Sequence, residues 1–377
     1  MPSSPNSEGA MGRALGAVFG QAIGDAIGHP VEFKKTHTVV GLDVPNQFTD
    51  DTQMFCAIGE ALLEAPPHAA SEERFMHVLS RKFVEWRENP LGGTHRAPGG
   101  TCMEGVRKLG AKIPWQKSGA LNGKGNGTAM RAGVCGVMYW MDPDYAFRIG
   151  CLQSVNTHNN LEAILGAGTV AYLVAASIKG IDFPTAVSNA LMLCSRFNDQ
   201  TVVPMFPKEV PLGDTRGDQS PWRAIAKFGS AFALGVGGLD PDSFRKFNGD
   251  DFSVVPAVAA GIFYNARALP VHGYPQIVIS AANYGDDADT IAAISGTIAG
   301  ARYGVDGING EWVENVELSA YLSGLANRLW DASLLYKSKS DMAQAAIAEM
   351  DQELIGELGD DVNVDPDILM DMDEIEF

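Results

Sequence analysis

Residues 285–304 read Gly-Asp-Asp-Ala-Asp-Thr-Ile-Ala-Ala-Ile-Ser-Gly-Thr-Ile-Ala-Gly-Ala-Arg-Tyr-Gly. An acid-rich opening gives way to an apolar run, which reads as a helix from about Thr290 to Tyr303 with carboxylates at its start. That is the end where the helix dipole favours negative charge. Gly296, Gly300 and Gly304 fall inside this apolar run. A glycine in a helix interior costs up to about 1 kcal/mol relative to alanine, so close helix–helix approach is the expected compensation. A second acidic cluster, Phe48-Thr49-Asp50-Asp51-Thr52, opens another helical pattern that runs to Leu63.

Outward from these two clusters, the body shows little alternation of period two. Helices are expected near residues 11–22, 72–86, 145–157, 161–179, 183–196, 222–234, 253–268, 274–282 and 319–336, with a further one starting near Thr128. Residues 88–105 and 122–127 are rich in glycine and read as loops, and 201–222 reads as a long irregular insertion with four prolines. The fold expected is all-α, a compact multi-helix domain over residues 11–340. An N-terminal arm (1–10) would precede it and an acidic helix and tail (341–377) would follow.

Of the 377 residues, 46% are apolar and 20% charged, which suits a large buried core. The net charge of −18 is uneven. Residues 341–377 hold 13 acids and no Lys or Arg, leaving 33 acids against 28 bases in the rest. A basic nucleic-acid-binding surface is therefore not expected. The tail reads as a solvated segment or as an acidic, amphipathic one that docks on a basic partner. Cys56, Cys102, Cys135, Cys151 and Cys194 are odd in number, form no CxxC and sit mostly in apolar runs. They read as buried, reduced thiols of a cytoplasmic protein. The longest uncharged apolar stretch, Ala163 to Ile178, is shorter than the ~20 residues a membrane helix needs and reads as a buried helix.

The acid clusters carry the chemistry. Thr49, Asp50 and Asp51 offer three oxygens at one helix start. Asp287, Asp289 and Thr290 offer three more at i, i+2 and i+3 at another. Asp and Thr are ordinary helix caps, which accounts for either cluster alone but not for surplus acids in both. Carboxylates this dense repel unless something neutralises them. With only oxygens on offer and no interleaved His or Cys, zinc is disfavoured, and two Mg²⁺ or Mn²⁺ ions fit. The loop Asn122-Gly123-Lys124-Gly125-Asn126-Gly127 precedes a helix, and amides at a helix start favour phosphate. Lys124 is a candidate partner for a pyrophosphate, and Asn126 for a phosphate or a ribose hydroxyl. A plain flexible loop is the alternative.

Five passages in order complete the pattern. They are Gly24-Asp25-Ala26-Ile27-Gly28 with Pro30-Val31-Glu32; Thr49-Asp50-Asp51-Thr52; Gly125-Asn126-Gly127-Thr128-Ala129-Met130-Arg131; Thr157-His158; and residues 285–304. Together they resemble the ADP-ribosylglycohydrolase family, which includes the dinitrogenase-reductase-activating glycohydrolase and hydrolases of ADP-ribosyl-arginine and ADP-ribosyl-serine. The resemblance implies an all-α domain with a central two-metal cleft, where Thr49, Asp50 and Asp51 face Asp287, Asp289 and Thr290. It gives Glu32 the place of a mobile glutamate at the cleft mouth, a candidate catalytic residue with Asp287 and Asp289. Asp25 would cap a helix or back the metal shell.

By the same resemblance, Gly123 to Gly127 and the segment His95 to Thr101, with Gly99 and Gly100, line the diphosphate path, and His158 sits near ribose and phosphate. The chain departs from relatives in three places. Asp286 replaces a common glycine, Asn159 and Asn160 follow His158, and no acid lies in the 95–101 segment. The implied activity is metal-dependent release of ADP-ribose from a protein side chain, arginine first. A role in immunity to an ADP-ribosylating toxin, with the termini binding toxin or target, is a further expectation. Rival expectations are a metal-dependent nucleotide phosphohydrolase and a non-catalytic binding protein on the same fold. No membrane or nucleic-acid partner is expected.

Overall fold

The computed structural model describes residues 7–34, 47–196, 210, 221–249, 251–269 and 273–336. The acidic segment 341–377, residues 1–6 and nearly all of the proline-rich insertion lie outside these. Among the described residues the regular elements are helical. The α-helices are α1 (Ser7–Gly28), α2 (Asp50–Glu64), α3 (Pro67–Ala70), α4 (Glu72–Glu88), α5 (Gly100–Gly110), α6 (Trp115–Ser118), α7 (Gly133–Met138), α8 (Pro143–Ser154), α9 (Leu161–Lys179), α10 (Phe183–Ser195), α11 (Pro221–Val236), α12 (Pro241–Asn248), α13 (Val254–Arg267), α14 (Tyr274–Ala282), α15 (Ala288–Tyr303), α16 (Gly310–Asn315) and α17 (Ser319–Ser333). Two isolated β-bridges, Ala120 with His158 and Gly125 with Ser253, tie loops together without forming a strand.

The centre of the domain is the pair α1 and α15. Gly16, Gly20, Gly24 and Gly28 of α1 recur every four residues, so they share one face of that helix. A methyl on any of them would overlap the backbone of Gly300, Gly296, Ala292 or Ala288 respectively. Because the first numbers rise as the second fall, the helices run antiparallel with backbone against backbone. The expectation of close helix approach at Gly296 and Gly300 is met here, and the partner is α1. The ladder fixes the site, because it holds the C-terminal end of α1, with Asp25 in its last turn, beside the start of α15, with Asp287 and Asp289.

Around this pair pack α9 and α13, both buried through nearly their whole length. Helix α9 is long and apolar enough to cross a membrane, yet it lies wholly buried inside the domain. Helix α8 covers α9, and α11 covers α13.

Several boundaries differ from the sequence reading. Helix α1 starts at Ser7, inside the expected arm and ahead of the expected start at residue 11. Helix α5 starts at Gly100, inside a stretch that glycine and proline content marked as loop. Its buried face of Cys102, Val106 and Leu109 outweighs the glycines at its start. Instead of a helix near Thr128, Asn126–Thr128 forms a 3₁₀ turn and α7 begins at Gly133.

Candidate active site: a carboxylate cleft beside glycine walls

Asp25 organises the start of α2. Its Oδ1 accepts from the Thr49 backbone N–H (2.9 Å) and hydroxyl (2.8 Å). Its Oδ2 accepts from the Thr52 N–H (3.0 Å) and hydroxyl (2.6 Å). The carboxylate thus caps α2 from behind. Burial still pushes its pKa up to about 6, against the opposing pull of these four hydrogen bonds. Of the two expected roles, the helix cap is what the structure shows.

In front of Asp25 lies a cleft of about 390 Å³. Glu32, Asp50, Asp51, Asp287, Asp289 and Thr290 line it, and among the described residues no Lys or Arg does. Asp51 Oδ1 accepts from the Thr290 hydroxyl at 3.4 Å, a contact that spans the two helix starts. Asp51 Oδ2 is buried and has no hydrogen-bond partner. Asp289 Oδ1 accepts from the Thr290 N–H at 2.9 Å. Asp287 occupies the N-cap of α15 but makes no cap bond; its Oδ2 accepts instead from Asn126 Nδ2. Burial first, and neighbouring carboxylates second, hold Asp50, Asp51 and Asp289 well above the usual carboxylate range.

Such a group is unstable as a set of bare anions, and a buried oxygen with no protein partner in an acidic cleft fits a bound cation. Asp50, Asp51, Asp287, Asp289 and Thr290 offer the oxygens. Thr49 stands apart, since it does not line the cleft and its hydroxyl is engaged with Asp25 and with the Asp51 N–H at 3.4 Å. Asp286 turns away. It takes a left-handed backbone (φ 49°) and pairs with Arg245 at 2.7 Å, so the extra acid of the sequence faces a cation of its own.

Glu32 closes one side. Its side chain is 8% exposed and lies 3.6 Å from His29 Nδ1, an ion-pair distance rather than a hydrogen bond. Burial raises its pKa, with Asp287 adding to the effect and His29 opposing it. His29, Glu32 and Asp289 each offer a ligand atom within 4.8 Å of the others. Sequence reasoning missed His29; the i, i+3 spacing His29–Glu32 in the Gly-His-Pro-Val-Glu turn was the available signal.

The other walls are glycine-rich. Ala97 to Cys102 form one, and Gly125 to Gly127 with Met130 and His158 form another. Side chains at Gly99 and Gly100 would meet open space, whereas one at Gly127 would overlap Cys102 Sγ. Gly99 caps α5 without a side-chain bond, which leaves first-turn N–H groups for an anion. Arg96 braces this wall by donating to the Phe48 carbonyl (2.5 Å) and gripping Glu317 (2.6 and 2.9 Å).

Gly123 and Lys124 are not wall residues; the Lys124 carbonyl accepts from Val254 N–H at 2.8 Å. His158 Nδ1 lies 2.8 Å from the Thr157 hydroxyl, which also accepts from Arg131 Nη2 at 2.8 Å. Burial, and then the Arg131 charge, push the His158 pKa down to about 3. The imidazole is therefore neutral, with Nδ1 held by the Thr157 hydroxyl, and His158 lines the cleft. Arg131 reaches no phosphate path. It is fully buried, donates to Gln153 Oε1 at 2.7 Å and lies 4.6 Å over the Phe83 ring.

Three comparisons bear on this geometry. The family model described as ADP-ribosylglycohydrolase matches residues 6–338. The chain is 26% identical to "ADP-ribosylhydrolase ARH3" of Danio rerio over 318 residues, covering 78% of this chain and 80% of that protein. It is 45% identical to "ADP-ribosylarginine hydrolase Tri1" of Pseudomonas putida over 60 residues, 16% of each chain. A solved structure titled "ADP-ribosylglycohydrolase-related protein complex" superposes with a TM-score of 0.60 at 23% identity, over 86% of this chain and 99% of that one, which establishes the shared fold.

Proposed function

The chain belongs to the ADP-ribosylglycohydrolase family, and from that membership we propose that it hydrolyses the glycosidic bond joining ADP-ribose to a modified protein side chain, arginine before serine. The observation that carries this reading is the buried acid cluster, with Asp51 Oδ2 unpartnered, next to uncapped helix amides at Gly99 and Gly100. One end of the cleft suits cations and ribose hydroxyls, and the other suits a diphosphate.

Bound Mg²⁺ or Mn²⁺, two ions in the fullest form of this reading, supplies Lewis-acid neutralisation of hydroxyl oxygens and a more acidic water. The protein supplies the rest. Asp50, Asp51, Asp287, Asp289 and Thr290 would hold the ions, and Thr49 acts from behind them through its bonds to Asp25 and the Asp51 N–H. The carboxylates also stabilise positive charge developing at C1 of the ribose. Glu32, with its raised pKa, takes the proton of the attacking water. It returns that proton to the departing guanidine, so water adds to C1, the C–N bond breaks, and guanidinium leaves with its charge unchanged. The α5 amides and the neutral His158 ring orient the diphosphate and ribose, away from the reacting carbon.

Incubation with ADP-ribosyl-arginine and ADP-ribosyl-serine peptides, with Mg²⁺ or with EDTA, tests the reading. Metal-dependent release of free ADP-ribose, faster from arginine, is expected. AMP or inorganic phosphate as the sole product would make it a nucleotide phosphohydrolase. Absence of turnover with tight ADP-ribose binding would make it a binding protein. Asp287→Ala and Asp289→Ala should each abolish turnover in a protein that still melts cooperatively.

The same reaction reverses toxin-catalysed ADP-ribosylation, and immunity with the acidic tail docked on the toxin is part of this proposal. Removal of residues 341–377 should then weaken complex formation and protection without lowering peptide hydrolysis. Five buried free thiols support a cytoplasmic setting.

A further inference from the structure

Two phenyl rings at the cleft mouth have no role in the reaction as described. Phe33 and Phe252 both line the cleft, yet they are 60% and 51% exposed. Their centroids lie 5.8 Å apart with planes at 52°, so they lean together as a ledge and leave faces open to solvent.

Neither ring sits there by chance of a floppy loop. Phe33 is held in a left-handed backbone (φ 61°), a conformation that phenylalanine rarely adopts. Its N–H donates to the Asp286 carbonyl at 2.7 Å, which clamps it to the start of α15. The carbonyl of Phe252 accepts from the Asn126 N–H at 3.1 Å, and the Asn126 side chain donates to Asp287. Each ring is thus one residue or one hydrogen bond from a group that contacts or belongs to the acid cluster.

We propose that Phe33 and Phe252 form the acceptor subsite, a ledge on which the guanidinium of ADP-ribosylated arginine stacks, and that they set the preference for arginine over serine. This rests on the hydrolase reading above and names its substrate class. Three features favour a guanidinium. It is planar and cationic, and aromatic faces attract it. Five carboxylates and no Lys or Arg among the described residues line the cleft beside the rings, so even with two divalent cations bound its formal charge does not repel a guanidinium. The leaving group departs from the ribose carbon that the acid cluster addresses, so the acceptor lies beside those acids, while adenine lies a diphosphate away. A serine acceptor offers neither charge nor plane.

The test uses the full-length protein with Mg²⁺ and two substrates, matched peptides carrying ADP-ribosyl-arginine or ADP-ribosyl-serine, with free ADP-ribose as inhibitor. The variants are Phe33→Ala, Phe252→Ala, the double variant, and Phe33→Tyr and Phe33→Leu. Each alanine should lower kcat/KM for the arginine peptide about fivefold and the pair more than tenfold, mainly through KM. Inhibition by ADP-ribose and turnover of the serine peptide should stay within twofold. Tyrosine should retain the preference and leucine should lose it. Unchanged arginine kinetics, or equal losses on both peptides, would overturn the subsite. Weakened inhibition by ADP-ribose would instead put the rings on adenine and overturn it too. A wild-type protein that releases ADP-ribose from neither peptide defeats the hydrolase reading itself, an outcome distinct from lost discrimination in an active enzyme.

Discussion

Asp51 shows how far this site departs from a stability optimum. One of its oxygens touches the Thr290 hydroxyl and the other has no partner, and burial together with four neighbouring acids raises its pKa. An asparagine there keeps the Thr290 contact, removes a buried charge and offers N–H donors to the remaining carboxylates. Asp51→Asn should therefore raise the unfolding free energy from urea titration in EDTA near pH 8 by about 1–2 kcal/mol, while it abolishes Mn²⁺ binding and turnover. Loss of stability together with retained Mn²⁺ binding would remove Asp51 from the ion site. His158 makes a second, independent case. With its pKa down to about 3, it stays neutral at every pH where the protein is assayed. The pH profile of kcat/KM should carry no imidazole limb, and His158→Gln should lower the whole profile without changing its shape. A limb near pH 6.5 that vanishes in this variant would show that His158 titrates, contrary to its burial beside Arg131.

At the level of elements, the α1–α15 contact carries the geometry. A methyl at Gly20 meets the Gly296 carbonyl, and backbone on a buried helix cannot step aside as a side-chain end can. Gly20→Ala should cost about 3 kcal/mol or more by thermal or urea unfolding, whereas Gly12→Ala, with open space around it, should be neutral or slightly stabilising. Equal effects at the two positions would refute the ladder. The contrast also shows what the chain's residues disclose in isolation. Both acid clusters were legible because the oxygens of each are adjacent in sequence and sit at helix starts. Close approach at Gly296 and Gly300 was legible from glycines in an apolar run, but the identity of the partner helix was not, because pairing is a property of the packed domain. The start of α5 was hidden because glycine signals a loop locally, while the burial of Cys102, Val106 and Leu109 that overrides it is tertiary. Arg131 was legible only as a cation; that it lies over Phe83 and bonds Thr157 depends on residues brought from other helices.

For the molecule as a whole, the acid cluster links stability to pH and to divalent cations. Asp25 is raised to about 6 from 3.8, and Asp50, Asp51 and Asp289 are raised well above that same starting value. A carboxyl with a raised folded-state pKa binds more protons in the native protein than in the unfolded chain. Stability therefore falls as pH rises from the unfolded value through the folded one. For Asp25 alone the window is about pH 4 to 6, and the shift of roughly two units is on the order of 3 kcal/mol. The other three extend the decline to higher pH. Cations bind the deprotonated form and compete with these protons, so their effect runs the other way and grows with pH. At about 100 times its dissociation constant, an ion adds about 2.7 kcal/mol. In a domain of this size that corresponds to a rise in Tm of roughly 5 °C. Melting curves from pH 5 to 8, in EDTA and in Mg²⁺ or Mn²⁺, should diverge steadily, with the cation-free Tm falling and the difference widening toward pH 8. A cation-free Tm that rises across this range, with no divergence, would mean the carboxylates are neutralised by something other than protons and metal. The Asp51→Asn protein should show a shallower fall and no response to cation, which separates linkage at this cluster from ions bound elsewhere on an acidic chain.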